Sequence, residues 1–93
     1  MASSFEELEI WKKSRKTCQE IYDLTEQGKF KNDFGLKRQI NDSSGSCMDN
    51  IAEGFERGGN KELIQFLYIS KGSIGETRSQ LYRAMDRGYI TIE

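Results

Sequence analysis

Apolar residues recur along this chain at intervals of three and four, the spacing that places them on one face of an α-helix. They fall into three segments, and the sequence contains no proline. Gly28, the pair Gly58-Gly59 and Gly88 follow the segments and indicate where each helix ends. The pattern predicts three helices, over about residues 4–27, 34–57 and 61–87.

Capping residues support the starts of these helices. A serine followed three residues later by glutamate occurs at Ser3 and again at Ser4, and either pair offers a capping box for the first helix. Asp33 and Asn60 are placed to cap the second and third helices, because Asp and Asn side chains accept hydrogen bonds from the first free amides.

The three helices are predicted to form one domain over residues 1–93, an all-α, up-and-down antiparallel helical bundle. Helices of similar length with short connections pack as antiparallel neighbours. The predicted core seams consist of Leu36, Ile40, Cys47, Met48, Ile51 and Phe55 on the second helix and of Leu63, Phe66, Leu67, Ser70, Ile74, Thr77, Leu81, Ala84 and Met85 on the third.

The first and third helices carry more apolar side chains than one seam can cover. A contiguous apolar surface on a monomer usually marks an interface, although single exposed aromatic residues need no partner. We therefore predict a homo-oligomer. Its predicted interface consists of Ile10, Ile21, Leu24, Ile64, Tyr68 and Tyr82.

Charge and hydropathy limit the partners and the cellular compartment that the sequence predicts. Fourteen basic and fifteen acidic residues leave a net charge of -1, so the total charge does not draw the protein to nucleic acid or anionic lipid. No apolar run reaches the roughly 20 residues of a membrane span, and the first residues lack the pattern of a secretory signal. The sequence predicts a soluble, cytoplasmic protein that does not bind membranes.

The composition offers little for catalysis or metal binding. Histidine, the commonest general base and transition-metal ligand, is absent. Cys18 and Cys47 fall within helical patterns, where reduced packing residues are typical, and a disulfide or a reactive thiol is the alternative. We predict a non-enzymatic protein with no catalytic residue, no metal site and no cofactor.

A polar strip replaces the leucines that a bundle helix normally carries in the segment SCMDNIAEGFERGGNKE. The strip on one flank of the second helix consists of Gln39, Ser46, Asn50, Glu53 and Arg57, and the matching strip on the third consists of Glu62, Ser73, Glu76 and Gln80. Antiparallel packing would bring the flanks together, where half-buried carboxylates need hydrogen-bonding partners. We predict a structural joint that fixes helix register. The alternatives are acid–base catalysis by the two glutamates and a dimetal centre, which in bundles normally uses Glu-x-x-His repeats.

Basic residues cluster locally although the total charge is balanced. Lys12, Lys13 and Lys16 share one broad face of the first helix, Lys29 and Lys31 lie in the loop that follows it, and Lys37 and Arg38 lie at the start of the second helix. Repeated in an oligomer, these residues predict a weak nucleic-acid-binding surface. The alternative is an ordinary solvated helix face, because Lys13 and Lys16 each have a glutamate four residues away, at Glu9 and Glu20.

Three segments of the chain carry a family resemblance: FEELEIWKKSRKTCQEIY, LKRQINDSSGSCMDNIAEGFERGGNKELIQFLYISKGSIGETRSQL and RGYI. Within the second, an Asn-Ile-Ala-Glu-Gly block precedes Gly-Ser-x-Gly-Glu, a specific combination. Together they resemble the four-helix-bundle proteins encoded in intervening sequences of bacterial 23S ribosomal RNA genes. The resemblance implies a left-handed up-and-down bundle, a ring-like homopentamer and no known enzymatic activity.

The same fold family is similar to the accessory variability determinants of diversity-generating retroelements. That likeness implies binding to a reverse transcriptase and to nucleic acid. Against this, accessory proteins that bind nucleic acid are expected to be basic, and this chain is not.

The chain also departs from the family pattern near its end. Family members continue past the Gly-Tyr-Ile position into a fourth helix, whereas this sequence ends at Glu93 after the apolar fragment Tyr89, Ile90 and Ile92. We expect that one helix is missing, either through truncation or because the fragment docks into a neighbour, and that more apolar surface is left for a partner.

Two functions follow from the sequence. The first is an oligomeric, non-enzymatic interaction scaffold of the 23S rRNA intervening-sequence type, whose main partner is itself. The second is an accessory protein that binds structured RNA or DNA and acts with a reverse transcriptase.

Overall fold

A computed structural model of the protein describes residues 2–91. This part of the chain contains three α-helices and no strand, which confirms the predicted all-α class. The helices are α1 (Glu9–Thr25), α2 (Phe34–Glu56) and α3 (Asn60–Asp86), with 3-10 turns at Phe5–Glu7 and Phe30–Asn32. None of these helices combines the length and the hydrophobicity of a membrane span. Ile92, part of the predicted apolar fragment, lies outside the described residues.

The helix ends follow the glycines. Gly28, Gly58 and Gly88 have positive φ angles of 52°, 84° and 75°, a conformation that glycine adopts without steric cost and that closes a helix. These three stops are therefore confirmed.

The helix starts follow the prediction less closely. Asp33 caps α2 as predicted, because its carboxylate accepts a hydrogen bond from the Leu36 amide at 3.2 Å. The first helix begins at Glu9, later than predicted, and the Ser3 hydroxyl donates to the Glu7 carboxylate at 2.8 Å, so neither predicted capping box forms. In α3, Asn60 is the first helical residue and not the cap.

Helix α2 lies at the centre and packs in an antiparallel manner against both other helices. The start of α2 meets the end of α1, where the Asn41 amide donates to the Thr25 hydroxyl at 3.1 Å. It also meets the end of α3, where Arg83 donates to the Gln39 side chain at 2.9 Å. Helices α1 and α3 make almost no direct contact. The bundle is 43 Å long. Because α1 and α3 hardly touch, it has an open side between them.

The core is concentrated at the end of the bundle where α2 begins. Phe30 and Ile40 are fully buried there, and Leu36 is 1% exposed. Ile21 of α1 joins this cluster at 4% exposure. The prediction that Ile21 belongs to an oligomer interface is therefore wrong, because the start of α2 and the Phe30 turn already cover it within one molecule.

Asp33 ties the end of α3 to the start of α2. Its second carboxylate oxygen accepts hydrogen bonds from Arg87 at 2.6 Å and from the Tyr89 hydroxyl at 2.8 Å. The Tyr89 ring lies against Phe30, with 5.3 Å between the ring centroids. The hydrogen bonds from Tyr89, from the Leu36 amide and from Arg87 hold the pKa of Asp33 below its usual value of 3.8.

This linkage predicts a pH-dependent contribution of Asp33 to stability. Because the pKa of the folded state is lowered, the stabilisation is complete above about pH 3.8 and is lost as the pH falls through the folded-state value. We expect Asp33→Asn to be less stable than wild type at neutral pH and the two to converge in acid, as measured by urea unfolding across this range. In a Tyr89→Phe background, the loss of unfolding free energy caused by Asp33→Asn at neutral pH should be smaller. A difference between wild type and Asp33→Asn that stays constant in acid would contradict this role of Asp33.

Candidate interaction surface

Three large apolar side chains are exposed on the outer face of α3, away from α2. Ile64 is 53% exposed, Tyr68 70% and Tyr82 58%. Tyr68 follows Ile64 by one helical turn and Tyr82 follows Tyr68 by about four, so all three project on the same side of the helix, opposite the buried Ser70, Thr77 and Ala84. We call Ile64, Tyr68 and Tyr82 the α3 face. The structure shows them exposed, as predicted, and their role in self-association stays a prediction.

A groove of about 460 Å³ lies beside the α3 face, between α1 and α3. It exists because both helices pack on α2 and hardly touch each other. Its floor is formed by Cys47 and Ile51 of α2. Its walls are lined by Ile10 and Thr17 of α1 and by Leu67 and Ile74 of α3.

The groove and the α3 face form one continuous surface. Leu67 and Lys71 line the groove and also line a smaller hollow with Ile64 and Tyr68. Ile10, predicted to be an interface residue, is 50% exposed at the groove wall. The open apolar area is therefore larger than the predicted stripe on α3.

The charged groups of the groove are all basic. Lys13 and Lys71 line it from α1 and α3, and no carboxylate is among its lining residues in the described part of the chain. A helix that fills the groove would satisfy these lysines with acidic residues beside its own apolar stripe. Two copies of this groove placed face to face would bring like charges together, which disfavours symmetric contact at this surface.

Of the remaining predicted interface residues, Leu24 is only half-buried near the end of α1. It is therefore neither a fully covered core residue nor part of the open groove lining. The structure thus brings Ile10 and the α3 face together on one side of the molecule, leaves Leu24 outside the groove lining, and places Ile21 in the core.

The joint between α2 and α3 is held by hydroxyl groups. The Ser43 hydroxyl lies 2.7 Å from that of Thr77, and the Ser46 hydroxyl lies 3.1 Å from that of Ser73. The Ser70 hydroxyl donates to the carbonyl of Cys47 at 2.9 Å. Because these side chains are short, they allow the helices to approach while each buried polar atom keeps a partner. No buried side-chain nitrogen or oxygen among the described residues lacks one.

The predicted polar strip lies at the edge of this joint. The Asn50 amide donates to the Ser46 carbonyl at 2.8 Å. Arg57 donates to Glu53 at 2.7 Å in an exposed pair on the same helix, and its guanidinium lies 5.1 Å from the Phe66 ring centroid. Glu53 and Glu76 are exposed, so the expectation of half-buried carboxylates is wrong. The signal for the true joint was the run of serine and threonine at seam positions.

The two cysteines are free thiols at packing positions. The Cys18 thiol donates to the Ser44 carbonyl at 3.1 Å, and the Cys47 sulfur lies 3.7 Å from the Ser14 hydroxyl. Burial raises the pKa of the Cys18 thiol. Within the described residues, no three Cys, Asp or Glu side chains come together in a way that could hold a metal ion.

The predicted basic residues do not form one patch. Lys13 and Lys16 are exposed on α1, and Lys12 makes a surface ion pair with Glu9 at 3.4 Å. Lys37 is half-buried and makes an ion pair with the Glu26 carboxylate. Arg38 remains exposed at the start of α2.

The fold and this surface define a class, a small all-α protein with an open apolar side and a polar joint. Within that class, the chain belongs to the 23S rRNA-intervening sequence protein family, whose family model matches residues 6–93. This match confirms the resemblance to the intervening-sequence proteins, and the likeness to retroelement accessory proteins stays a prediction. No match was found among curated proteins or among solved structures.

Proposed function

We propose that this protein is a non-enzymatic interaction scaffold that associates with copies of itself through the α3 face. The observation that carries the proposal is the exposure of Ile64, Tyr68 and Tyr82 on one side of a helix whose other side is buried. Exposed apolar side chains in such an arrangement are costly in water and gain free energy when another surface covers them.

The proposal extends to the groove between α1 and α3. A further helix placed there would cover Cys47 and Ile51 and give the four-helix arrangement that the family resemblance implies. The α3 face would remain outside such a bundle and available for contact with the next copy. A ring of five copies is the stoichiometry that we propose from the family resemblance.

A charge placed on the α3 face tests self-association. We expect Tyr68→Asp to convert the assembly to the monomer of 10.7 kDa, because a charged side chain in an apolar interface would have to be desolvated. Helicity should stay unchanged, since Tyr68 is 70% exposed in the single molecule. Sedimentation velocity and circular dichroism give the two readouts.

The matched control is Tyr22→Asp. Tyr22 is 56% exposed on α1, outside the groove lining and outside the α3 face, so this variant should keep the wild-type mass. Dissociation by both variants, or by neither, would count against the α3 face as the contact surface.

The second candidate is an accessory protein that binds nucleic acid and acts with a reverse transcriptase. It is supported by Lys13 and Lys16, which are exposed on α1 and make no ion pair within the described residues. Binding through phosphates weakens steeply as salt rises. Titration of the protein with RNA at low salt tests this candidate, and the absence of any binding there would remove it.

A further inference from the structure

Among the described residues, Phe34 is the most exposed large hydrophobic side chain, at 73%. It is the first residue of α2. Phe30, one turn earlier in the chain, is fully buried. The two rings therefore differ completely in their environment, although both lie at the same end of the bundle. Phe34 is outside both the groove and the α3 face, so neither of the surfaces proposed above accounts for it.

Basic side chains surround Phe34 along the chain. Lys29 and Lys31 belong to the turn that leads into α2, and Arg38 lies one helical turn after Phe34, on the same side of the helix. All three are exposed, and none makes an ion pair within residues 2–91.

Two carboxylates at this end of the bundle are engaged, whereas Asp23 and Asp86, near the ends of α1 and α3, are exposed and make no ion pair within the described residues. Glu26 binds Lys37, and Asp33 binds Arg87 and the Tyr89 hydroxyl. Asp42 is one turn beyond Arg38 and exposed, but the structure records no ion pair between them. The segment from Lys29 to Arg38 contains four basic residues and one acidic residue, Asp33, so it is locally positive although the whole chain has a net charge of -1.

We propose that Lys29, Lys31, Phe34 and Arg38 form a site for single-stranded nucleic acid, which we call the end patch. The Phe34 ring stacks on an unpaired base, and the three cations contact the flanking phosphates. This inference deepens the second candidate function, on which it rests for its class of ligand, and it is independent of self-association.

The chemistry of the end patch selects a single strand over a duplex. An aromatic ring can stack on any base whose face is free, and bases inside a duplex already stack on their neighbours. Recognition would therefore be tolerant of sequence and sensitive to salt.

The experiment is a fluorescence anisotropy titration at low salt with a labelled single-stranded oligouridine, and with single-stranded DNA and duplex RNA as further arms. We expect Phe34→Ala to weaken binding to both single strands by about tenfold or more, the effect of losing one stacked base. Phe34→Trp should retain binding. Tyr22→Ala, at another exposed aromatic side chain, should bind as wild type does.

The salt dependence separates stacking from charge. Lys31→Ala or Arg38→Ala should each reduce the slope of log K against log salt by about one, whereas Phe34→Ala should leave the slope unchanged. A triple alanine variant at Lys12, Lys13 and Lys16 tests the α1 lysines in the same assay. If that variant loses binding and Phe34→Ala does not, nucleic-acid binding stands and the end patch fails.

Three other outcomes would overturn the end patch. These are equal binding of Phe34→Ala and Tyr22→Ala, tighter binding of duplex than of single strands, and no binding by wild type at low salt. The last result would remove the second candidate as well, while self-association would still be decided by the mass of the assembly.

Discussion

Replacing Phe30 with alanine is expected to lower the free energy of unfolding by about 3–5 kcal/mol, the usual cost of deleting a buried phenyl group. The side chain is 0% exposed and packs in the cluster that holds Leu36 and Ile40. Its loss would also leave the Tyr89 ring without the aromatic partner that lies 5.3 Å away. In a domain of 93 residues, this is a large share of a total of roughly 5–15 kcal/mol.

Phe34→Ala is the matched control for Phe30→Ala. The same atoms are removed four residues further along the chain, but from a side chain that is 73% exposed, so we expect a change within about 0.5 kcal/mol. Urea unfolding followed by circular dichroism gives both values. Losses below about 1 kcal/mol for both variants would mean that the core does not lie at this end of the bundle, and equally large losses would mean that Phe34 is covered as well.

Gly54→Ala is expected to destabilise the protein by about 1–3 kcal/mol, the range seen when a packed interior is overfilled. A Cβ atom at position 54 would lie 2.6 Å from the Cβ of Phe66 and 3.4 Å from a methyl group of Leu63. Because a Cβ cannot rotate away, α2 and α3 would have to separate. This cost should exceed the gain of about 0.5–1 kcal/mol that alanine brings over glycine inside a helix.

Gly45→Ala isolates the helix-propensity effect. Gly45 is in the same helix, and an added Cβ there meets nothing within 4 Å. We expect this variant to be more stable by about 0.5–1 kcal/mol. The two alanine variants should therefore shift the urea midpoint in opposite directions, and a stabilising Gly54→Ala would contradict the close approach of α2 and α3.

The helices could be predicted because each has local signals that tertiary packing does not override. Apolar spacing gives the segments, and Gly28, Gly58 and Gly88 can take the positive φ that ends them. Asp33 could be predicted as a cap because its short side chain reaches a free amide of the first helical turn. The first helix begins later than predicted because Leu8, after the 3-10 turn at Phe5–Glu7, has an extended backbone with φ -72° and ψ 126°.

The faces that neighbours cover could not be derived from periodicity alone. A helical wheel gives the direction of Ile21 and of Ile10, but not that the first is enclosed beside Phe30 and the second stands at an open groove. Likewise, Glu53 and Glu76 lie beside a seam, yet carboxylates on flexible stems reach solvent there. The shorter serine and threonine side chains remain in the joint because they cannot reach water.

The open side of the bundle also has a tertiary origin. Each helix taken separately has an apolar seam that a bundle could close. The structure shows that α2 uses its seam on both neighbours, while Leu67 and Ile74 of α3 and Ile10 of α1 face a space that no described element fills. The proposal of self-association therefore rests on the open side of the bundle as well as on the number of apolar residues.

The mass of the native wild-type protein at micromolar concentration, from sedimentation equilibrium, tests self-association most directly. We predict a single species several times heavier than 10.7 kDa, with five copies as the proposed number. A homogeneous species of 10.7 kDa would mean that Ile64, Tyr68 and Tyr82 stay in water without a second copy. That result would contradict the proposal of a self-associating scaffold.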